Sequence, residues 1–215
     1  MARKTIFSNG EFYHIYNRGV DKRDIVLSSR DSERFLQGMI GFNTIEPIGS
    51  LYENSFNSLG SLASKSGLVN IVAYCLNPNH YHFLVEQLVD RGIEKFMHRL
   101  GTGYTKYFNL VSKRTGSLFQ GPFKSIHIED NEYLLHLSAY VNLNNRVHQL
   151  GRLASKLVRS SWQTYLDFSQ KNIVTEQFSS GGEYQDFALE ALESIVERRQ
   201  EEKELASLLL EDLEA

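Results

Sequence analysis

Two apolar runs separated by three residues constrain this chain more than any other feature. Leu68 to Leu76 (LVNIVAYCL) and His80 to Glu86 (HYHFLVE) are rich in β-branched and aromatic residues, and Asn77-Pro78-Asn79 between them is strong turn chemistry. The pattern predicts an antiparallel hairpin. Upstream, EFYHIYN over 11–17 stops at Arg18-Gly19 and reads as a first strand. Asp31 to Phe42 places Phe35, Leu36, Met39 and Ile40 at helical spacing behind an Asp31 or Ser32 cap. Downstream, Ile93 to Leu110 carries Phe96, Leu100, Tyr104 and Phe108 on one helical stripe, which Gly101 and Gly103 each weaken by about 1 kcal/mol relative to alanine. Ser117 to Ile128 reads as a strand region bent at Gly121-Pro122, and Asp130 or Asn131 caps a helix running to about Asn144. The order strand, helix, strand, strand, helix, strand, helix predicts an α+β domain with a ferredoxin-like antiparallel sheet and helices packed on one face.

The chain divides unevenly by charge. Residues 1–160 carry 19 Lys+Arg against 13 Asp+Glu, whereas 161–215 carry 4 against 13, so a body of net +6 precedes an end of net −9. We therefore expect a domain over 1–165 and an acidic helical extension over 166–215. Ala188, Leu192, Ile195 and Val196, then Leu205, Leu208, Leu209 and Leu213, lie at helical spacing in that extension. Residues 43–67 hold six serines and three glycines and read as a flexible insertion. Cys75 is the single cysteine, which excludes an internal disulfide and a cysteine-rich zinc module and suits a reducing cytoplasm. No apolar run approaches the roughly 20 residues of a membrane helix. The N-terminal segment turns polar after Phe7, without an apolar signal core.

Chemistry concentrates in two places. His80 and His82 alternate with Tyr81, so both imidazoles leave the same sheet face while Tyr81 points away. Such a pair is either two polar residues on a wet strand or the start of a divalent-metal site. Tyr140 and Asn144 stand four apart on the last helix of the body, with His136 on the same stripe. A phenol and an amide oxygen there either pack at the helix–sheet seam or face an ion held by the sheet. Tyr104 and Tyr107 extend an apolar stripe, Tyr133 lacks an asparagine four residues on, and Tyr13, Tyr16 and Tyr74 read as strand packing. His14 and His127 read as packing or phosphate contacts rather than metal ligands.

The set of motifs resembles a known family. Asn79-His80-Tyr81-His82-Phe83-Leu84, preceded by Ala73-Tyr74-Cys75-Leu76, is similar to the histidine–hydrophobic–histidine (HUH) signature of single-tyrosine transposases, the insertion-sequence-200-like family. Within it, the REP-associated tyrosine transposase branch is the nearer match, through Tyr13-His14-Ile15-Tyr16-Asn17-Arg18-Gly19, Tyr104-Thr105-Lys106-Tyr107-Phe108-Asn109, Gly116-Ser117-Leu118-Phe119-Gln120-Gly121, Phe123-Lys124-Ser125, Tyr140-Val141-Asn142-Leu143-Asn144 and Ser160-Ser161-Trp162. The resemblance covers roughly 10–165 with the order kept. Three positions depart from the family pattern: Asn145 stands where proline is usual, Tyr81 replaces an aliphatic residue, and the serine-rich insertion is longer.

The resemblance implies a metal-dependent DNA strand transferase. His80, His82 and Asn144 would hold Mg²⁺ or Mn²⁺, with Mn²⁺ favoured in vitro because two ligands are nitrogen. Tyr140 would attack the scissile phosphate and form a 5′-phosphotyrosine. A free tyrosine titrates near pH 10, so its phenol needs activation by an ion or a neighbouring cation. Single-stranded or hairpin DNA at repeats is the implied partner, with Arg18, Lys106, Lys124 and Arg146 as candidate phosphate contacts. The rival function is a non-catalytic, repressor-like DNA-binding protein on the same scaffold. The acidic end reads as a solvated helix packed on the body, a lid over the basic face, or a leucine-lined dimer contact.

Overall fold

The computed structural model describes residues 5–46, 67–148 and 151–214. Most of the expected Ser/Gly-rich insertion, 47–66, lies outside these residues, as do the side chains of the leucine stripe at 205–213 and the dimer contact that rests on them. The elements in chain order are β1 (Phe12–Arg18), α1 (Ser29–Gly41), β2 (Val69–Leu76), β3 (His80–Gln87), α2 (Gly92–Val111), β4 (Lys124–Ile128), α3 (Asn131–Asn142), α4 (Asn144–Val147), α5 (Arg152–Ser155), β5 (Arg159–Ser160), α6 (Trp162–Leu166) and α7 (Gly181–Glu214). The strands form one sheet in the order β4-β1-β3-β2-β5, with every pairing antiparallel. Its first four strands have the ferredoxin-like arrangement that the sequence order implied.

Helices cover both faces of this sheet and not one. Side chains alternate along β3, so Tyr81, Phe83 and Val85 meet α1 and α2 through Phe35, Phe96, Leu100 and Tyr104. Leu84, on the opposite side, joins Val72, Ala73 and Cys75 of β2 beneath Leu134, Leu137 and Val141 of α3. Element order alone does not distinguish one covered face from two. The strand composition does, because β2 is apolar at both parities.

Local chemistry explains the element ends. Helix α1 starts earlier than the apolar stripe suggests, because Ser28 and Asp31 form a reciprocal capping box. Asp130 caps α3, accepting from the Tyr133 backbone N–H at 3.0 Å. Gly103 does not break α2: a Cβ there would lie 2.6 Å from the Phe42 ring, so the missing side chain is what lets α1 and α2 close together. The stretch before β4 is turn and bend. It joins the end of β1 through an isolated bridge, Gly19 with Phe119, and through hydrogen bonds from the Gln120 N–H to the Arg18 carbonyl and from Asn17 Nδ2 to the Gly121 carbonyl.

Packing continues past the point where the charge changes sign. Val174, Tyr184, Ala188 and Ala191 are buried with Tyr165 against α3. The Tyr184 hydroxyl accepts from Asn142 Nδ2 at 2.9 Å and pairs with Ser138 Oγ at 3.1 Å, while Ser161 Oγ donates to Asn142 Oδ1 at 2.6 Å. This buried polar network ties α3 to α7 and, through the Tyr74 N–H donating to Ser161 Oγ at 2.9 Å, to β2. Among the described residues no helix is long and apolar enough to cross a membrane.

Tyr184→Phe should therefore leave the Asn142 amide donor buried and unpaired, at a cost of about 1–3 kcal/mol in urea unfolding. A chain ending at 200 should unfold near the wild-type midpoint. One ending at 170, which loses Val174, Tyr184, Ala188 and Ala191, should lose several times as much.

Candidate active site

The site forms where the 77–79 turn, β3, β1 and the end of α3 meet. Two-residue periodicity places His80 and His82 on the α3 side of the sheet, with ring centroids 5.2 Å apart and planes at 90°. Helix α3 brings Tyr140 over them: its ring stands edge-on to His82 at 5.5 Å and to His14 at 6.2 Å. The helix then breaks at Leu143 (φ −106°, ψ 15°) and restarts as α4, whose first residue is Asn144. The asparagine at 145, where the family pattern has proline, thus continues the helix only after this break.

Asn144 is fully buried, and its orientation is fixed by Asn77. Asn77 Nδ2 donates to Asn144 Oδ1 at 2.7 Å and lies 2.9 Å from His80 Nε2. The opposite edge of the His80 ring, Nδ1, meets Asn79 Oδ1 at 2.6 Å; that oxygen only accepts, so Nδ1 carries the proton. In the neutral ring Nε2 is then a lone-pair acceptor, and it faces Asn144 Oδ1 at 2.9 Å. Two acceptors held this close repel unless a donor or a cation bridges them; the two N–H groups of Asn77 Nδ2 do so here, and a proton on His80 or a metal ion would do so more strongly. Asn144 Nδ2, buried without a hydrogen-bond partner among the described residues, shows that the amide is turned toward His80 at the cost of its own donor.

His82 is oriented from behind. Its Nδ1 shares a 2.8 Å hydrogen bond with Nε2 of His14, whose pKa burial lowers to about 4, so His14 is neutral near pH 7. Tyr16, paired across β1–β3 with His82, stacks on the same ring at 5.7 Å. The donor set is therefore two imidazoles and an amide oxygen, a combination that fits Mn²⁺ or Mg²⁺. Among the described residues no cluster of three or more His, Cys, Asp or Glu could hold a metal, so a third protein ligand beside the two imidazoles would be an uncharged group such as the Asn144 amide oxygen. Cys75, below Asn77, is held up at about pKa 12 by burial and remains a thiol, its Sγ 3.7 Å from Asn77 Oδ1.

The open side is a cleft of about 460 Å³. Tyr140, His80 and His82 line it with Arg18, Lys22 and Lys124, and none of its described lining residues is acidic. Lys22 is presented by a left-handed turn (φ 53° at Asp21, 60° at Lys22). Of the cations named from sequence, Arg18 and Lys124 reach this cleft, Arg18 also bonding Gln120. Lys106 lies on α2, in grooves on the other side of the sheet, and Arg146 stands over the Trp162 ring at 5.5 Å. His136 turns to Phe187 of α7, and His127 bonds Glu11 at 2.9 Å. Asn77, read above as a turn former, and His148, four residues after Asn144 with its ring 4.8 Å from that of His80, belong to the site as well. Of the rival phenols, Tyr104 donates to the Ile25 carbonyl and Tyr107 to Asp31, whereas Tyr16 shares the cleft with Tyr140.

Residues 49–144 match the model of the IS200-like transposase family, a span that ends on Asn144 and includes both cleft histidines and Tyr140. A solved structure described as a REP-associated tyrosine transposase bound to a REP hairpin is similar in fold, with a TM-score of 0.50 at 16% identity over 84% of this chain and 96% of that one. No curated protein matches the sequence.

Asn77→Ala removes the donor that holds Asn144 and His80 together. It should cost about 1–3 kcal/mol in thermal or urea unfolding. A change below about 0.5 kcal/mol would show that this amide does not organise the site.

Proposed function

We propose that this chain, whose residues 49–144 match the model of the IS200-like transposase family, belongs to that family and cleaves and rejoins single-stranded DNA through a covalent link to Tyr140. One observation carries the reading: a phenol and two imidazoles line one cleft whose charged rim, among the described residues, is basic, and a buried amide oxygen stands behind it 2.9 Å from His80 Nε2. That composition suits an anionic phosphodiester.

His80, His82 and Asn144 would hold the divalent ion. When bound, it would polarise the scissile phosphate and offset charge on its oxygens. Arg18, Lys22 and Lys124 grip the flanking phosphates and fix the strand across the cleft. The Tyr140 oxygen then attacks phosphorus in line. An O–P bond forms to tyrosine, the bond to the 3′-oxygen breaks, the phenol proton leaves, and the departing oxygen takes up a proton as a 3′-hydroxyl. The phosphodiester energy is kept in the link, so a second 3′-hydroxyl reverses the step and joins a new strand without ATP. Hairpin or repeat DNA is the proposed substrate, in line with the hairpin held by the similar REP-associated transposase.

Incubating labelled single-stranded repeat DNA with the protein and Mn²⁺ should yield a protein-linked band on a denaturing gel. Tyr140→Phe should abolish that band while binding persists, and Tyr16→Phe should retain it. His80→Ala and His82→Ala should each reduce it by on the order of 100-fold or more. A band that survives Tyr140→Phe but not Tyr16→Phe would move the nucleophile to β1. Binding without any linked product would favour the repressor-like alternative.

A further inference from the structure

A second basic surface lies away from the cleft. Helices α1 and α2 enclose a groove of about 1010 Å³ lined by Arg30, Arg34, Arg99 and Lys106, with Glu33 as its one acidic residue among those described. Arg99 is spent on the chain itself, donating to the Thr44 carbonyl at 2.6 Å. Arg30, Arg34 and Lys106 form no ion pair with a carboxylate among the described residues. The Arg34 guanidinium sits 5.5 Å above the Tyr107 ring, whose hydroxyl is pinned by donating to Asp31 at 2.9 Å. Beside these cations Leu110 and Val111 are exposed, at 80% and 52%.

This groove connects to the cleft. His98, Thr102 and Lys106 line it and also line a neighbouring depression of about 920 Å³, and that depression shares Asn17 and Pro122 with the Tyr140 cleft. The three concavities therefore run in series around the end of the sheet where β1 stops. We propose that this series is a track for single-stranded DNA, along which the strand leaving the Tyr140 cleft crosses α2 at Lys106 and ends in the α1–α2 groove. Unpaired cations suit its phosphates. The Arg34–Tyr107 stack and the exposed Leu110 and Val111 suit base faces, which a single strand offers and a duplex hides. The track deepens the strand-transferase reading, on which its substrate class rests.

The test uses the full chain and fluorescent oligo-dT of about 8 and about 24 nucleotides in an anisotropy titration, because each oligonucleotide-binding site of this general kind spans roughly 4–16 nucleotides. The longer strand should bind at least tenfold more tightly than the shorter. Arg30→Ala/Arg34→Ala should erase that advantage and lower the slope of log K against log salt by about 1.4, at roughly 0.7 per phosphate contact on a single strand. Lys106→Ala, on the other helix, should do the same with a smaller change in slope. An undiminished length advantage in both variants, or none in the wild type, overturns the track. Equal losses on a blunt duplex of the same length overturn its single-strand assignment. Absence of a Tyr140-linked product alongside a lost length advantage would refute the strand-transferase reading and leave the track standing.

Discussion

Two lone-pair acceptors, His80 Nε2 and Asn144 Oδ1, are held 2.9 Å apart, and the rest of the site is organised around that pair. Neither position is soft. Asn77 donates between them from the end of β2, Asn79 fixes the His80 tautomer from the turn, and α4 starts at Asn144 only because α3 breaks one residue earlier. Behind α3, the Tyr184–Asn142–Ser161 network leaves the helix little freedom to retreat. A buried cluster that keeps acceptors together is expensive to maintain, and it becomes favourable when a cation occupies the space between them.

The histidine pair was legible because period-two alternation is a strict property of strands, so the common face of His80 and His82 followed from three letters. Tyr140 and Asn144 were legible as neighbours for the analogous helical reason, even though the helix is interrupted between them. Other partners were hidden for physical reasons. Asn77 looked like turn chemistry, and that is also its role, but the turn buries its side chain and turns its amide toward the site. His14 supports His82 diagonally across two strands, a relation that depends on register and not on spacing. Helix caps are short-range signals that an apolar stripe does not reveal, hence the early start of α1 at the Ser28–Asp31 box. The cations were the least legible: Lys106 and Arg146 sit in suggestive motifs, yet topology sends one to the far side of the sheet and the other onto Trp162.

Charge and packing follow different boundaries in this chain. The net charge reverses near 160, but Tyr165, Val174, Tyr184 and Ala188 keep contributing to the core beneath α3. The first turns of α7 are thus part of the packing that positions α3, the helix that carries Tyr140. That separation matters for truncation studies, because a cut at the charge boundary opens a hydrophobic core as well as removing negative charge.

The proposal that imidazole and amide together hold a cation is tested most directly by Mn²⁺ titration of the full chain, following the paramagnetic resonance signal of the free ion. The wild type should bind one ion per chain, and Asn144→Ala and His80→Ala should each weaken binding by about tenfold or more. Mn²⁺ bound equally well by all three proteins, or by none, would contradict it.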